Sequence, residues 1–252
     1  MKNKFLFLLV FSVSLIMAED TAKIMGKVQF DGKVPRKDNG EQRLKKISMN
    51  ADPICGKSHS GAVYRESFLV NEENYLQNVM VWINNPNHSR KIPETAIELD
   101  QIGCRYVPHV TGIMKGQELL IKNSDKTLHN INSKSEVNSA FNFAMPAKSE
   151  PASKKFDKNE GPFYIKCDVH PWMKSWVVVV DHPYWAVTDG DGNYEINLEG
   201  LEAGEYELCF WHEKWDESMK TGDGYCSENY KQTITVSDAS VTANTKLLKK
   251  PK

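Results

Sequence analysis

Short runs of β-branched and aromatic residues, separated by glycine, proline, asparagine and aspartate, recur along most of the chain. Asn78–Ile83 (NVMVWI) is such a run, and the turn pair Asp31-Gly32 follows an alternating one. Runs of this kind are typical of strands, and their spacing favours antiparallel sandwiches or barrels. No long amphipathic helix is evident. The chain is therefore predicted to be all-β, with strands at Lys23–Phe30, Asn78–Ile83, Glu118–Lys122, Phe163–Cys167, Trp176–Val180, Tyr194–Asn197, Tyr206–Trp211 and Gln232–Val236.

The first eighteen residues have the pattern of a secretory signal peptide. Lys2 and Lys4 precede the uncharged apolar run Phe5–Met17, which ends at Ala18. The run is shorter than the roughly 20 apolar residues of a membrane-spanning helix. We therefore expect residues 1–18 to be cleaved, with no membrane span in the mature chain. The expected location is the periplasm or the exterior, where disulfides persist.

The overall charge gives no sign of a nucleic-acid partner. The chain has 32 Lys and Arg residues against 33 Asp and Glu residues, a formal net charge of −1. Nucleic-acid binders usually carry a strongly basic face, so a nucleic-acid partner is not expected. The five cysteines are an odd number, which leaves at least one without an intramolecular disulfide partner.

A thiolate, an imidazole and a thioether lie at the tip of one predicted hairpin, as Cys167, His170 and Met173. Thiolate and thioether together select a soft metal ion. Two imidazoles and one thiolate with a weak axial methionine are a copper electron-transfer set. His129, near the end of the stretch Gly116–Asn130, is the candidate for the second imidazole. These four residues are predicted to hold one copper ion.

The C-x2-H-x2-M motif that begins at Cys167, with an upstream N-x-D-x3-H-N motif that ends at Asn130, resembles the cupredoxins. The short ligand loop is similar to that of the amicyanin-type members. The resemblance implies a Greek-key β-sandwich over residues 95–181, with one type 1 copper that exchanges single electrons with redox protein partners. It also implies that Asn130 ties the two ligand loops together by hydrogen bonds.

The same resemblance implies that electrons pass through the edge of the His170 ring. Pro171 and Trp172 follow this histidine and are expected to surround its edge with an apolar docking patch. Met145 and Pro146 either join that patch or belong to the core. Docking would then depend on apolar contact, because the chain has no dominant charge to steer a partner.

Assigning Cys167 to the metal resolves the odd cysteine count. The other four are an even set, which allows three pairings: Cys55, Cys104, Cys209 and Cys226. The pairing of Cys209 with Cys226 closes a local loop and is favoured. It leaves Cys55 to pair with Cys104.

The region Ala186–Leu208 reads T-D-x-D-G-x-Y-x-I, followed by G-L-x-A-G-x-Y-x-L. This pattern resembles the carboxypeptidase regulatory-like domain, a prealbumin-type β-sandwich in which the glycines make hairpin turns. That domain usually opens with a G-x-V strand and a V-x-V strand. Neither follows residue 185, but both occur near the N-terminus, at Gly26–Val28 and in Asn78–Ile83.

Two domain layouts are compatible with these patterns. In the favoured one, residues 22–94 and 182–250 form one discontinuous sandwich with the cupredoxin domain inserted between them. Inserted domains join where two chain ends lie close together at a surface loop. In the alternative, residues 22–181 form an enlarged cupredoxin domain and residues 182–250 a separate sandwich.

We therefore expect an exported mononuclear type 1 copper protein that carries single electrons between redox partners. The sequence shows no multicopper cluster and no substrate copper site, so an enzyme is not expected. His109 and His182 are minor candidates for a second metal site. The alternative function is non-redox: a copper store or sensor, or a carbohydrate-contacting module that uses Trp211 and Trp215. Storage is disfavoured because the chain has no Met-rich or His-rich run.

Overall fold

The structure is a computed structural model that describes residues 21–215, 226–227, 230–237 and 239–247. The predicted signal peptide lies outside them. Within the described residues the chain forms one short helix and seventeen strands, which confirms the predicted all-β class. The helix is α1 (Pro53–Lys57), and the strands are β1 (Lys23–Phe30), β2 (Met80–Ile83), β3 (Ile97–Gln101), β4 (Tyr106–Val107), β5 (Val110–Met114), β6 (Leu119–Asn123), β7 (His129–Ser133), β8 (Asn142–Met145), β9 (Ala152–Lys154), β10 (Glu160–Lys166), β11 (Lys174–Val180), β12 (Trp185–Val187), β13 (Asn193–Asn197), β14 (Gly204–Trp211), β15 (Lys231–Val236), β16 (Val241–Thr242) and β17 (Thr245–Leu247).

One sandwich, here called the terminal sandwich, is built from strands near both ends of the chain. Its sheets have the orders β13-β1-β16, with β17 also on β1, and β12-β2-β14-β15. β1 runs antiparallel to β13, with Gly26 opposite Tyr194, and parallel to β16 and β17. Its alternating sequence buries Ile24 and Val28 in the core between the sheets. The discontinuous layout requires this pairing of β1 with strands after residue 182.

The other sandwich, here called the central sandwich, is formed by residues 97–180. Its sheets have the orders β5-β11-β10-β7-β8 and β4-β3-β6-β9. β3 is parallel to β6, and β5 is parallel to β11, while β10 and β11 form an antiparallel hairpin. Leu99, Ile121, Ile131 and Ile165 lie in the core between the sheets. The hairpin places the predicted metal-binding loop at one end of this core.

The two sandwiches pack against each other through strands that are apolar on both faces. In β2, Val81 and Ile83 face the core of the terminal sandwich, whereas Met80 and Trp82 join a third apolar cluster that includes Val178 of β11. Strands covered on both sides are expected to be continuously apolar. The run MVWI in β2 and the valines that end β11 therefore mark the contact between the sandwiches.

A glycine allows β5 to approach the terminal sandwich closely at this contact. A Cβ on Gly112 of β5 would lie 2.5 Å from Cδ2 of Trp185 and 2.7 Å from Cε of Met80. Both distances are below van der Waals contact, so a larger residue would push the sandwiches apart.

The segment between β1 and β2 reaches from the terminal sandwich to the central one. Helix α1 starts at Pro53 and is capped by Asp52, whose Oδ1 accepts hydrogen bonds from the backbone N–H groups of Ile54 and Cys55. Aspartate at this cap position and proline in the first turn both favour a helix start. Cys55 forms a disulfide with Cys104. The segment is thereby fixed covalently over the central sandwich.

The described residues contain no helix that is long and apolar enough to cross a membrane. They do contain two disulfides, Cys55–Cys104 and Cys209–Cys226. This is the pairing that the sequence favours, and Cys167 is the free cysteine of the described residues.

Candidate metal centre

One strand and one hairpin loop bring the predicted ligands together. His129 is the first residue of β7, and residues 167–173 connect β10 to β11. β7 pairs with β10, with Asn132 opposite Lys166, so the start of β7 runs beside the loop. The loop is closed by the N–H of Cys167, which donates to the carbonyl of Met173, and by the N–H of Met173, which donates to that of His170.

The donor atoms of three predicted ligands converge in a buried space. Nδ1 of His129 and Nδ1 of His170 are 2.9 Å apart, and Sγ of Cys167 lies 3.7 Å from Nδ1 of His170. The three side chains are 0 to 2% exposed, and their donor atoms all lie within 4.8 Å of one another. Met173 is buried in the adjoining core. Two imidazole nitrogens and a thiolate sulfur at one point fit a soft transition-metal ion.

The surroundings of Cys167 favour its thiolate form. The backbone N–H of His170 donates to its sulfur at 3.4 Å. Burial alone would raise the pKa of Cys167. The His129 side chain and the N–H groups of Asn130, His170 and Val169 outweigh burial and lower this pKa below 9.0. Because a metal binds the thiolate and not the thiol, these donors prepare the sulfur for a metal ion.

Asp125 holds the outer nitrogen of His129. Its Oδ2 lies 2.8 Å from Nε2 of His129, and its carboxylate also accepts the N–H groups of Gly103 and Cys104 at 2.7 Å each. Burial opposes a charge on His129, but hydrogen bonds with Asp125 and Cys167 raise its pKa to about 9. In the metal-free protein His129 therefore carries a proton that a metal ion would displace.

Asp52 holds the outer nitrogen of His170 in the same way. Its Oδ2 lies 3.1 Å from Nε2 of His170 and accepts the hydroxyl of Thr127 at 2.9 Å. Burial lowers the pKa of His170 below 6.5, with Asp52 acting against this and His129 adding to it. Burial would raise the pKa of Asp52, but hydrogen bonds, chiefly from Cys55 N–H and Thr127, lower it to about 2. A protonated His129 can thus donate through Nδ1 to a neutral His170.

Neither carboxylate was assigned a role from the sequence. Asp125 lies in the N-x-D-x3-H motif four residues before His129, and this spacing is a local signal for the contact. Asp52 is 118 residues away from His170, and only its helix-cap position is visible in the sequence.

Asn130 links the two ligand segments. Its Oδ1 accepts the N–H of Asp168 at 2.9 Å, its Nδ2 donates to Asn142, and its carbonyl accepts the hydroxyl of Tyr106. Because Asp168 follows Cys167, Asn130 connects the start of β7 to the loop. This is the contact that the resemblance implies.

The surface near His170 differs from the expected one. The His170 ring is 2% exposed, because Asp52 and the Cys55–Cys104 disulfide cover its outer edge, so this edge is not open to a partner. Pro171 is exposed. Trp172 is half-buried, packs on His170 with ring centroids 5.1 Å apart, and donates its Nε1–H to the carbonyl of Cys104.

Met145 belongs to the core and not to a surface patch. It is buried, and its sulfur accepts a hydrogen bond from Nε2 of Gln101. Trp211 is also buried, between the two sandwiches, and Trp215 packs on Phe30. Among the described residues, Trp211 is therefore not available to a sugar, as the alternative function would require.

His109 and His182 have other partners in the structure. Nε2 of His109 lies 2.5 Å from Oε1 of Glu213. His182 is buried and stacked on Tyr184, and burial lowers its pKa to about 4. Neither belongs to a metal-ligating group of the described residues.

No family model and no curated protein matches the sequence. Solved structures that resemble parts of the chain include a purple cupredoxin from Nitrosopumilus maritimus, which is 22% identical, with a TM-score of 0.29 over 33% of this chain and 99% of that one. Amicyanin from Paracoccus versutus is 20% identical, with a TM-score of 0.31 over 41% of this chain and 99% of that one. A copper-containing nitrite reductase from Thermus scotoductus is 20% identical, with a TM-score of 0.31 over 39% of this chain and 26% of that one, so this chain spans about a quarter of the reductase. The likeness of the terminal sandwich to the carboxypeptidase regulatory-like domain stays a prediction.

Proposed function

We propose that the chain is an exported mononuclear copper protein that carries single electrons between protein partners. The observation that carries the proposal is the convergence of two imidazole Nδ1 atoms and one cysteine sulfur in a buried space. His129, Cys167 and His170 would hold the ion, and Met173, buried beside them, is the proposed weak fourth ligand. Copper supplies a one-electron couple when bound to such a set.

The protein fixes each donor before a metal arrives. Asp125 and Asp52 orient the imidazoles, and backbone N–H groups orient the sulfur. Donors held in this way need little rearrangement when the charge of a bound ion changes by one, which suits electron transfer. A site built to exchange its metal would favour mobile donors, so this rigidity supports a carrier over a store.

The burial of the ligands also supports electron transfer over catalysis on a small substrate. The three ligand side chains are 0 to 2% exposed, with Cys55 against the outer nitrogen of His170, and a substrate needs an open coordination position that it can reach. Electrons need only a short path through packed atoms. We therefore propose a role without enzymatic activity.

Trp172 is the proposed contact with redox partners. It packs on His170 and remains partly exposed, beside the exposed Pro171. Trp172 and Pro171 are the apolar contact that we propose for a transient protein partner.

Two disulfides support the proposed export. Disulfides form and persist in oxidising compartments. Among the described residues, Cys55 is bonded to Cys104 and Cys209 to Cys226. The periplasm or the exterior is the proposed location.

Copper titration of the purified, oxidised, metal-free chain tests the proposal. One equivalent of Cu(II) is expected to give an intense thiolate-to-copper absorption, which Cys167→Ser and His129→Gln abolish. His182→Gln replaces a buried histidine of the terminal sandwich and is expected to keep the absorption. A colourless complex, or a band that survives in Cys167→Ser, would overturn the copper assignment. Bound copper without a reversible one-electron wave would favour the non-redox alternative.

A further inference from the structure

The outer edge of His170 lies under a segment that comes from outside the central sandwich. Three contacts hold this segment in place. Cys55 is bonded to Cys104, Nε2 of His59 lies 2.6 Å from the carbonyl of Gly103, and Met49 packs in the central core. The segment therefore has a fixed position relative to the metal-binding loop.

Within this segment, the carboxylate of Asp52 is held at both oxygens. Oδ1 accepts the N–H groups of Ile54 and Cys55 at 2.7 and 3.1 Å, and Oδ2 accepts the hydroxyl of Thr127 at 2.9 Å. The side chain cannot rotate without losing these bonds. The remaining capacity of Oδ2 is directed at Nε2 of His170, 3.1 Å away.

The charge of Asp52 determines which nitrogen of His170 can bind a metal. An ionised carboxylate only accepts hydrogen bonds, so Nε2 of His170 must carry the proton. A neutral imidazole has one N–H, and its Nδ1 then presents a lone pair. Nδ1 is the atom that faces His129 and Cys167. Asp52 thus selects the tautomer whose free nitrogen points into the site.

We propose that Asp52 is a positioning residue for His170: it fixes the Nε2–H tautomer and favours Cu(II) over Cu(I). The part of this inference that concerns copper rests on the proposed function. A carboxylate that accepts the N–H of a ligand histidine makes the ring a more basic ligand. A more basic ligand stabilises the more highly charged ion, so the reduction potential is lower with Asp52 than without it.

Asp52→Asn is the main test, with Asp189→Asn as its matched control. Asp189 also accepts two backbone N–H groups, those of Asp191 and Asn193, but lies in a turn of the terminal sandwich. Loss of such an outer partner typically weakens metal binding by about 10-fold or more. If Cu(II) affinity falls 10-fold and Cu(I) affinity is unchanged, the potential rises by about 59 mV. Asp189→Asn is expected to change neither affinity nor potential.

A second variant covers the case in which Asp52→Asn fails to fold. Thr127→Val removes one of the hydrogen bonds that fix Oδ2 of Asp52 and keeps the helix cap. It is therefore expected to raise the reduction potential by less than Asp52→Asn does. Equal Cu(II)/Cu(I) affinity ratios in the wild type and in each folded Asp52 or Thr127 variant would overturn the inference.

Nitrogen-15 NMR of the metal-free chain separates this inference from the proposed function. The wild type is expected to carry the neutral His170 proton on Nε2, and Asp52→Asn to shift the population toward Nδ1–H. A wild-type ring protonated on Nδ1 overturns the role of Asp52. If the wild type binds no copper in coloured form, the proposed function fails, and the tautomer still decides whether Asp52 positions the ring.

Discussion

The two sandwiches bury histidines in different ways. In the terminal sandwich, His182 stacks on Tyr184, and the ring centroids of His212 and Trp215 are 4.4 Å apart. Burial lowers their pKa values to about 4 and about 3, so both rings stay neutral and serve packing. In the central sandwich, His129 and His170 each face a carboxylate through Nε2 and each other through Nδ1.

The difference shows that burial of a histidine does not identify a site. A carboxylate on Nε2 leaves Nδ1 of His129 and of His170 facing a shared space, whereas Nδ1 of His182 and of His212 already accepts a backbone N–H. The convergence of two rings oriented in this way is what separates the candidate metal centre from ordinary packing.

The largest expected effect comes from the two disulfides. Cys55–Cys104 spans 49 residues and covers the site, while Cys209–Cys226 spans 17 residues in the terminal sandwich. Loop-closure entropy predicts a loss of about 4 kcal/mol in unfolding free energy for the first pair and about 3 kcal/mol for the second, when both cysteines are replaced by alanine. Denaturant unfolding measures both.

The same two variants are expected to differ in their copper spectra. Only the loss of Cys55–Cys104 loosens the segment that carries Asp52. Only that variant should therefore change the thiolate-to-copper absorption and the rate at which external chelators remove the copper. If the copper spectrum changes equally in both variants, the effect of Cys55–Cys104 does not come from its position over the metal centre.

The ligand loop could be predicted from sequence because its signals are local. Cys167, His170 and Met173 lie within seven residues between two strand patterns, and His129 lies in its own short motif. Strand β7 (HNINS) was not predicted, because its polar residues turn toward hydrogen-bond partners and not toward solvent.

The cover of His170 could not be predicted from the sequence. The cysteine count favours the pairing of Cys55 with Cys104, but the sequence shows neither the position of this disulfide over His170 nor the contact of the helix cap Asp52 with the same ring. Both are contacts between residues far apart in the chain, and neither leaves a periodic pattern. The sequence therefore gives no sign that Asp52 and Cys55 cover the outer nitrogen of His170, while the docking role of Pro171 and Trp172 stays a prediction.

A smaller effect is expected from pH. The pKa of His182 in the folded state, about 4, lies below its usual 6.5, so its contribution to stability is complete above pH 6.5 and is lost as the pH falls toward 4. The loss between pH 7 and pH 4 is about 3 kcal/mol. The free energy of unfolding of His182→Gln should depend less on pH in this range. The free energy of unfolding of Tyr184→Phe should keep the pH dependence of the wild type. If the free energy of unfolding changes equally with pH in His182→Gln and in the wild type, the pKa of His182 is not lowered by burial.

His129 should show the opposite dependence in the metal-free protein. Its pKa is raised to about 9, so its contribution to stability is complete below pH 6.5 and is lost as the pH rises toward 9. Unfolding of the metal-free chain between pH 6.5 and pH 9, compared with His129→Gln, measures this loss. A wild type that gains stability relative to the variant in this range would show that Asp125 does not hold a charged His129.

The smallest expected effect is at the two tryptophans next to histidines, one in each sandwich. Trp172 donates its Nε1–H to the carbonyl of Cys104, whereas Nε1 of Trp215 has no hydrogen-bond partner among the described residues. Trp172→Phe keeps an aromatic ring on His170 but leaves that carbonyl unpaired, at a cost of about 1 kcal/mol. Trp215→Phe removes an unsatisfied donor and should cost less. If urea unfolding shows equal losses, the Nε1 bond does not anchor Trp172, and the proposed contact with redox partners is then held by packing on His170 alone.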